Sequence, residues 1–496
     1  MLTRLLVIGF FAIFTANTSF ASEYVYDYNA NCSKAYQCFL SLHPAEGYAF
    51  IKKEIIQNPN NLVATYVADY EDCLLLLFNG DKNEYEQRKV HMDARLDLLS
   101  QGDQNSPWFR LCEAGVYLHW ALVHLRYGEN LRAATTFRRS YILLKENQKL
   151  FPAFEYNNVF LGLEQAVVGA VPEDYRWLAS VFGMKGNVKR GEKLINDFLN
   201  THSNNDPLRI EAVIYNCYLK FYLLSKQAEV WSFLNSSQFS VHNNLLYTFL
   251  KGNLGLNYRK ADMAAQTFRF AQTEQEYSKY PVLDYELGSA LYLKQDVSCI
   301  SYFNKFIARY RGRVFIKDAW QKMAFMYYLQ GDMKQANYCR QQIKETGSAT
   351  FDADKQANRF ARGNEWPDKT LLRARLFIDG GFYMDALSLL KNIKEADFKT
   401  IPDKMEYDFR MGRANDEAGV YSKALQFYQS AINLGQDRTE QFAARAALQM
   451  GLVYEKQGDI QNALVKYHEC LNMRNHDFQA TIDEQAKAGI NRLSVK

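Results

Sequence analysis

The stretch GLVYEKQGDIQNALVKYHECL, Gly451 to Leu471, constrains the chain more than any other because its apolar residues follow a helical period, break, and resume it. Ala447, Met450, Gly451 and Tyr454 lie on one face of a helix. Gln457-Gly458-Asp459 then breaks the pattern: Gly458 can end one helix and Asp459 can cap the next. Ala463, Leu464, Tyr467, Cys470 and Leu471 form a second apolar stripe. The spacing predicts two helices of about a dozen residues joined by a tight turn, an αα-hairpin. Gly451 and Ala463 are small enough to let the two backbones approach closely.

The same skeleton recurs upstream with a period of about 34 residues. One copy carries Gly412, Gly419, Ala424, Tyr428 and Ala431. Another carries Ala374, Phe377, Gly381 and Ala386, and a third Trp320, Ala324, Tyr327, Gly331-Asp332 and Ala336. A looser copy has Gly252, Ala264, Phe268 and Ala271. Between these lies YELGSALYLKQDVSCISYF, with Gly288 in register and Ile300 in the place of the alanine. Gly451, Tyr454, Gly458-Asp459, Ala463 and Tyr467 resemble the tetratricopeptide repeat (TPR) consensus, and the resemblance runs from about 245 to 496. It implies an all-α, right-handed α-solenoid, a superhelix of TPR-like hairpins.

The N-terminal half carries the spacing with weaker chemistry: Ala121, Gly128, Ala133 and Phe137 in one place, Ala179, Phe182, Gly186 and Gly191 in another. All nine prolines, Pro44 to Pro402, fall between patterned segments, and no alternating strand pattern persists. The expected organisation is a leader at 1–21, a degenerate TPR-like region at 22–231, and a more regular array at 232–496 closed by a capping helix from Ile482 to Leu493. RWLASVFGMKGNVKRGEKLI and YELGSALYLKQDVSCISYFNKFI are also similar to the tetratricopeptide repeat 39 / inclusion-body clearance family. That similarity implies an interaction role and transfers no site residue.

With 48% hydrophobic residues and 23% charged, the chain has ample material for a large core, which excludes a disordered class. The net charge is +4, and no Lys/Arg cluster forms a phosphate-tracking stripe, so nucleic acid is not an expected partner. The segment MLTRLLVIGFFAIFTANTSFAS has a positive start, a short apolar run and a small-x-small end, the pattern of a secretory signal peptide cleaved near Ala21. The protein is therefore expected to be exported, to the periplasm or cell envelope if bacterial, without a membrane-spanning segment in the mature chain. Export permits disulfides among the eight cysteines. Cys32 and Cys38, however, are separated by about 9 Å of rise in a continuous helix, beyond bridging distance unless the segment turns. The other six sit in apolar helical patterns and are expected to be buried thiols.

No phosphate-binding glycine loop, dinucleotide fingerprint, nucleophile elbow or zinc-protease motif occurs, so no enzyme activity, cofactor or metal is expected. His468, Cys470 and His476 match no common zinc spacing. His119 and His124 fall on different faces of one helix, and Asp69 and Asp72 read as a solvated face.

In the TPR family the second, fifth, ninth, twelfth and thirteenth consensus positions of each first helix line the concave groove. The ninth places here are Phe325, Arg375, Arg413 and Leu452; the fifth are Gln321, Leu371, Phe409 and Leu448. Arg375 and Arg413, with Phe325 and Phe409 as apolar neighbours, are the candidate partner-binding residues, suited to an acidic segment of a protein or peptide. Surface charge paired with Glu406, Asp368 or Asp416 is the plainer account. Glu455 is expected to project from this groove face. The Ala336-to-Ala386 interval is longer than its neighbours because of an insertion at about 345–369; Phe351 to Arg362 can form an extra short helix there, or the segment is a long connector. Two functions fit: an exported, non-catalytic scaffold for protein–protein interaction, or an envelope carbohydrate-binding protein with a TPR-like core.

Overall fold

The computed structural model describes residues 24–171, 183–363 and 365–494. The leader at 1–21, together with Ala179 and Phe182, lies outside them. The described residues are helical throughout, apart from loops and an isolated parallel bridge between Val25 and Asn61. By contact the chain divides into two units. One comprises the described residues of Met1–Phe39, Pro44–Cys73 and Arg88–Arg209, the other those of Leu40–His43, Leu74–Gln87 and Ile210–Lys496.

From Leu245 onward the second unit is an array of TPR-like hairpins. Its helix pairs are Leu245–Asn257 with Ala261–Ala271, Val282–Leu293 with Cys299–Arg309, and Ile316–Gln330 with Met333–Glu345. Lys369–Gly380 with Tyr383–Leu390, Ile401–Glu417 with Tyr421–Gly435, and Phe442–Gln457 with Ile460–Asn472 complete it, and Gln479–Ser494 covers the last pair. The turns behave as their residues dictate. Gly331 and Gly458 take φ of 87° and 78°, the left-handed region that favours glycine. The aspartates that follow cap the next helix: Asp332 accepts from Gln335 N–H at 3.0 Å and Asp459 from Asn462 N–H at 3.1 Å.

Inside four of these hairpins a glycine of the first helix lies against a ring of the second. A Cβ at Gly412 or Gly451 would stand 2.5 Å from Tyr428 or Tyr467, and one at Gly288 would stand 2.9 Å from Phe303. Gly252 is covered by Phe268 in the same way. Where the first helix carries Ala324 or Ala374 instead, the register-equivalent residue is Arg340 or Leu390, with no ring. In the Val282 hairpin the small-residue place belongs to Cys299, which is fully buried, and not to Ile300, which is only partly buried. Cys299 is small enough for the contact where the repeat consensus sets alanine, and burial pushes its thiol up to about 12.

The hairpins also touch beyond their immediate neighbours. Gly381, at the turn of the Lys369 hairpin, sits directly on the Arg259 carbonyl in the turn of the Leu245 hairpin. Arg259 Nη1 donates to Glu417 Oε1 at 3.0 Å, and Gln295 Nε2 donates to the Arg373 carbonyl at 3.1 Å. At their turn ends, therefore, the helices before and after the Ile316 hairpin meet each other directly. The insertion fills the space at the opposite ends with the helix Asp352–Arg362, whose Ala357 and Ala361 are buried. Asp354 at its start caps a different helix, accepting from Phe315 N–H at 2.7 Å and Asp318 N–H at 3.2 Å.

In the first unit, Pro107–Arg126 pairs with Asn130–Leu150, and Asn157–Gly169 with Val188–Thr201. The second pair crosses at two glycines: a Cβ at Gly162 would stand 2.9 Å from the Gly191 carbonyl oxygen. Asp69 and Asp72 are not solvated. Asp69 is fully buried and accepts from Arg95 at 2.8 Å, His119 Nδ1 at 2.8 Å and Trp120 Nε1 at 3.0 Å. Asp72 accepts from Arg88, from His91 Nδ1 at 2.8 Å and from Arg95 at 2.6 Å. The carboxylates face inward because helices 16 to 51 residues downstream supply their donors.

Candidate functional site: an aromatic and basic groove

The inserted helix turns the middle of the array into a groove of about 1160 Å³, lined among others by Gln321, Phe325, Tyr328, Trp366, Arg375 and Phe478. Its floor is a cluster of rings. Phe325 contacts Phe360 at 4.7 Å and Trp366 at 6.4 Å between centroids, and Trp366 stacks on Tyr328 at 4.6 Å. Cations cover these rings. Arg340 lies 4.5 Å over Phe360, Lys369 4.8 Å over Tyr328, and Arg375 5.7 Å over Phe325.

Two of the carboxylates lining the groove are engaged locally, while the third, Glu365, is exposed. Asp368 Oδ1 accepts from Thr370 N–H at 2.8 Å and Leu371 N–H at 3.0 Å, capping the helix that carries Arg375. Asp403 accepts from Thr400 Oγ1 at 2.6 Å. Among the described residues no carboxylate pairs with Arg375. The groove therefore offers the unpaired guanidinium of Arg375 over an aromatic floor.

Of the four residues singled out in the sequence, Phe325 and Arg375 come together here. Phe409 and Arg413 do not line this groove. Phe409 is 5% exposed and packs on Tyr428 and Phe442. Arg413 is 6% exposed, and its guanidinium is consumed by Asp416 at 3.3 Å, Glu417 at 2.6 Å and Gln449 at 2.5 Å. Arg413 is thus a structural cross-link rather than a free anion receptor, and its pairing with Asp416 matches the plainer sequence account. Leu371 and Leu448 are likewise buried. Tyr328 and Arg445 occupy the twelfth and second consensus places of their helices, so the family register points to both. Phe360, Trp366 and Phe478 carry no such signal, since they belong to the insertion and to a loop.

One other constellation has the elements of a nucleophile. Ser289 Oγ lies 3.0 Å from Lys322 Nζ, which also reaches Tyr285 OH at 3.1 Å and Asp318 Oδ2 at 2.5 Å. Lys322 thereby directs its three N–H donors at three acceptors, the arrangement of a cross-link rather than a base. Ser289 sits within the helix Val282–Leu293, where backbone N–H groups are spent on the helical ladder and form no oxyanion hole. Elsewhere, His468 is exposed whereas Cys470 is fully buried in the core around Tyr467, so these two do not converge. Among the described residues no group of three His, Cys, Asp or Glu side chains could hold a metal ion, and no helix is long and apolar enough to cross a membrane. None of the eight cysteines forms a disulfide, Cys32 and Cys38 included.

No protein-family model matches the chain, and no curated protein does. Among solved structures, a chain of the APC/C Cut9–Hcn1 hetero-tetramer is 13% identical, with 91% of this chain and 95% of that one covered, at a TM-score of 0.27. The TPR domain of P58(IPK) is 13% identical over 85% and 98%, at 0.21. Human IFIT1, solved as a dimer with PPP-AAAA, is 13% identical over 88% and 81%, at 0.27. The glycine–aromatic contacts and aspartate-capped turns are what make these repeats TPR-like.

Proposed function

We propose that this protein is an exported, non-catalytic scaffold that grips an acidic segment of a partner protein in the groove floored by Phe325 and Trp366. The observation that carries this reading is the guanidinium of Arg375, laid over Phe325 without a carboxylate partner, while Asp368 caps its helix and Asp403 accepts from Thr400. A partner carboxylate would complete that pair, and each charge-assisted hydrogen bond it gains contributes about 1.5–3 kcal/mol. A carbohydrate-binding role fits the groove less well, because its rings are already covered by cations or by one another, and sugars need open ring faces. Export rests on the leader alone.

The test is capture from an envelope extract with wild-type bait and with Arg375→Glu and Lys369→Glu baits. A partner retained by wild type should be lost, by at least about tenfold in affinity, from both variants at unchanged melting temperature. A partner retained equally by all three, or capture of glycans instead of protein, would overturn the reading. N-terminal sequencing of the exported protein should begin near Ser22; an intact Met1 would remove export from it.

A further inference from the structure

One end of the groove is occupied by the chain itself. The loop before the terminal helix brings Phe478 between two guanidinium groups, 5.3 Å from Arg359 on the inserted helix and 5.7 Å from Arg445 on the helix Phe442–Gln457. The preceding residue, Asp477, gives its carboxylate to Arg359 Nη1 at 3.3 Å. An acidic residue followed by an aromatic one is thus seated on a pair of arginines.

Three observations mark this seat as improvised. Phe478 and Asn475 have φ of 60°, a left-handed conformation that side-chain-bearing residues adopt at a cost. The Arg359–Asp477 pair is open to water, with its side chains 66% and 57% exposed, so it holds the loop weakly. Arg445 Nε, and Oε1 of Gln441, the N-cap residue of the same helix one turn earlier, are buried without hydrogen-bond partners. A donor and an acceptor left unmatched in this way are costly. Burial and the neighbouring Arg410 and Arg413 all work against the charge of Arg445, with Asp379 opposing them, so a further carboxylate would be welcome there. Helix Gln479–Ser494 has its own anchors, Gly489 on Tyr467 and Arg492 on Glu455 at 2.9 Å, besides the loop, which is itself tied by Asp477 N–H donating to the Thr439 carbonyl at 2.8 Å.

We propose that Asp477-Phe478 is an intrachain stand-in for the partner, and that the bound segment presents its own acidic–aromatic pair, Asp or Glu beside Phe or Tyr, to Arg359 and Arg445 in place of the loop. The partner's main chain would reach the unmatched groups of Gln441 and Arg445 once Phe478 is displaced. This rests on the groove being a protein-binding site and adds to it the recognition element and a competitor built into the chain.

The experiment is fluorescence anisotropy of the full chain with short fluorescein-labelled Gly/Ser peptides containing Asp-Phe, Asp-Ala or Ala-Phe. Asp-Phe should bind, and either single replacement should weaken it about tenfold. Asp477→Ala, which removes only a solvent-exposed pair, should tighten Asp-Phe binding severalfold, because the competing loop is less populated. Phe478→Ala should act in the same direction, and Arg445→Gln should abolish binding. Equal affinities for the three peptides, no binding by any of them, or an Asp477→Ala chain that binds no more tightly would overturn the stand-in. The groove reading has a separate readout, since a captured partner lost from the Arg375→Glu bait keeps that reading intact whatever the peptides do.

Discussion

Tyr467 is clasped between two glycines: Gly451 on one edge of its ring and Gly489 on the other, each so close that an added Cβ would stand 2.5 Å from a ring carbon. The contact ties the last hairpin to the terminal helix through one side chain. Gly451→Val should therefore force the two helices apart and destabilise the protein by about 1–3 kcal/mol or more, read as a lower midpoint in urea. Ala463→Trp, at the fully buried small-residue place of the same hairpin, should do likewise.

Glu455 belongs to the same clasp, contrary to its expected projection from the groove face. It accepts from Tyr467 OH at 2.6 Å and forms a two-pronged pair with Arg492 at 3.0 and 2.9 Å. Glu455→Ala should cost about 1–3 kcal/mol and raise amide exchange selectively in the helix Gln479–Ser494, whereas Glu455→Gln should keep part of the loss from appearing. Unchanged exchange in that helix would show that the clasp does not hold it.

Glu286 gives the stability a pH dependence of unusual sign. Burial pushes its carboxyl from 4.5 to about 7, with Lys322 and the Asn253 hydrogen bond pulling the other way. A pKa raised on folding means stability that is full below the unfolded value near 4.5 and lost as pH rises through about 7. Glu286→Gln keeps an acceptor for Asn253 and removes the titration. The variant should match wild type near pH 4 and exceed it by up to about 3 kcal/mol near pH 8, measured by urea melts at both pH values.

The Asp69 site predicts a large single-residue effect in the first unit. Asp69→Ala leaves Arg95, His119 and Trp120 without their common acceptor, and breaking such a buried pair typically costs about 3–5 kcal/mol. Asp69→Asn, which keeps one acceptor, should cost clearly less in the same melts.

How far the sequence could be read depended on how locally each feature is determined. Gly458-Asp459 and Gly331-Asp332 act within a few residues of themselves, and both turns form as their chemistry requires. The glycine–aromatic contacts lie within one hairpin, so a period of small and large residues reveals them. Arg413 looks available because its groove position is a matter of register, while its burial depends on Asp416 and Glu417 on its own helix and on Gln449 from the next hairpin. Asp69 was misread for the same reason at longer range, since its donors come from other helices. The groove combines both cases: Phe325 and Arg375 follow the repeat register, but the rings that enclose them come from the insertion, which has no register to read.

The Arg259–Glu417 pair and the seat of Gly381 on the Arg259 carbonyl bear on how the second unit comes apart. An array joined only at adjacent interfaces can melt from its ends, one element at a time, with intermediates of every length. A link spanning 158 positions in the sequence couples the fate of an early hairpin to that of a late one. Fraying at either end then stops at this closure, and the stretch between its two sides is lost in one cooperative step, at the kinetic cost of a long loop that must find itself before the last of its stability arrives.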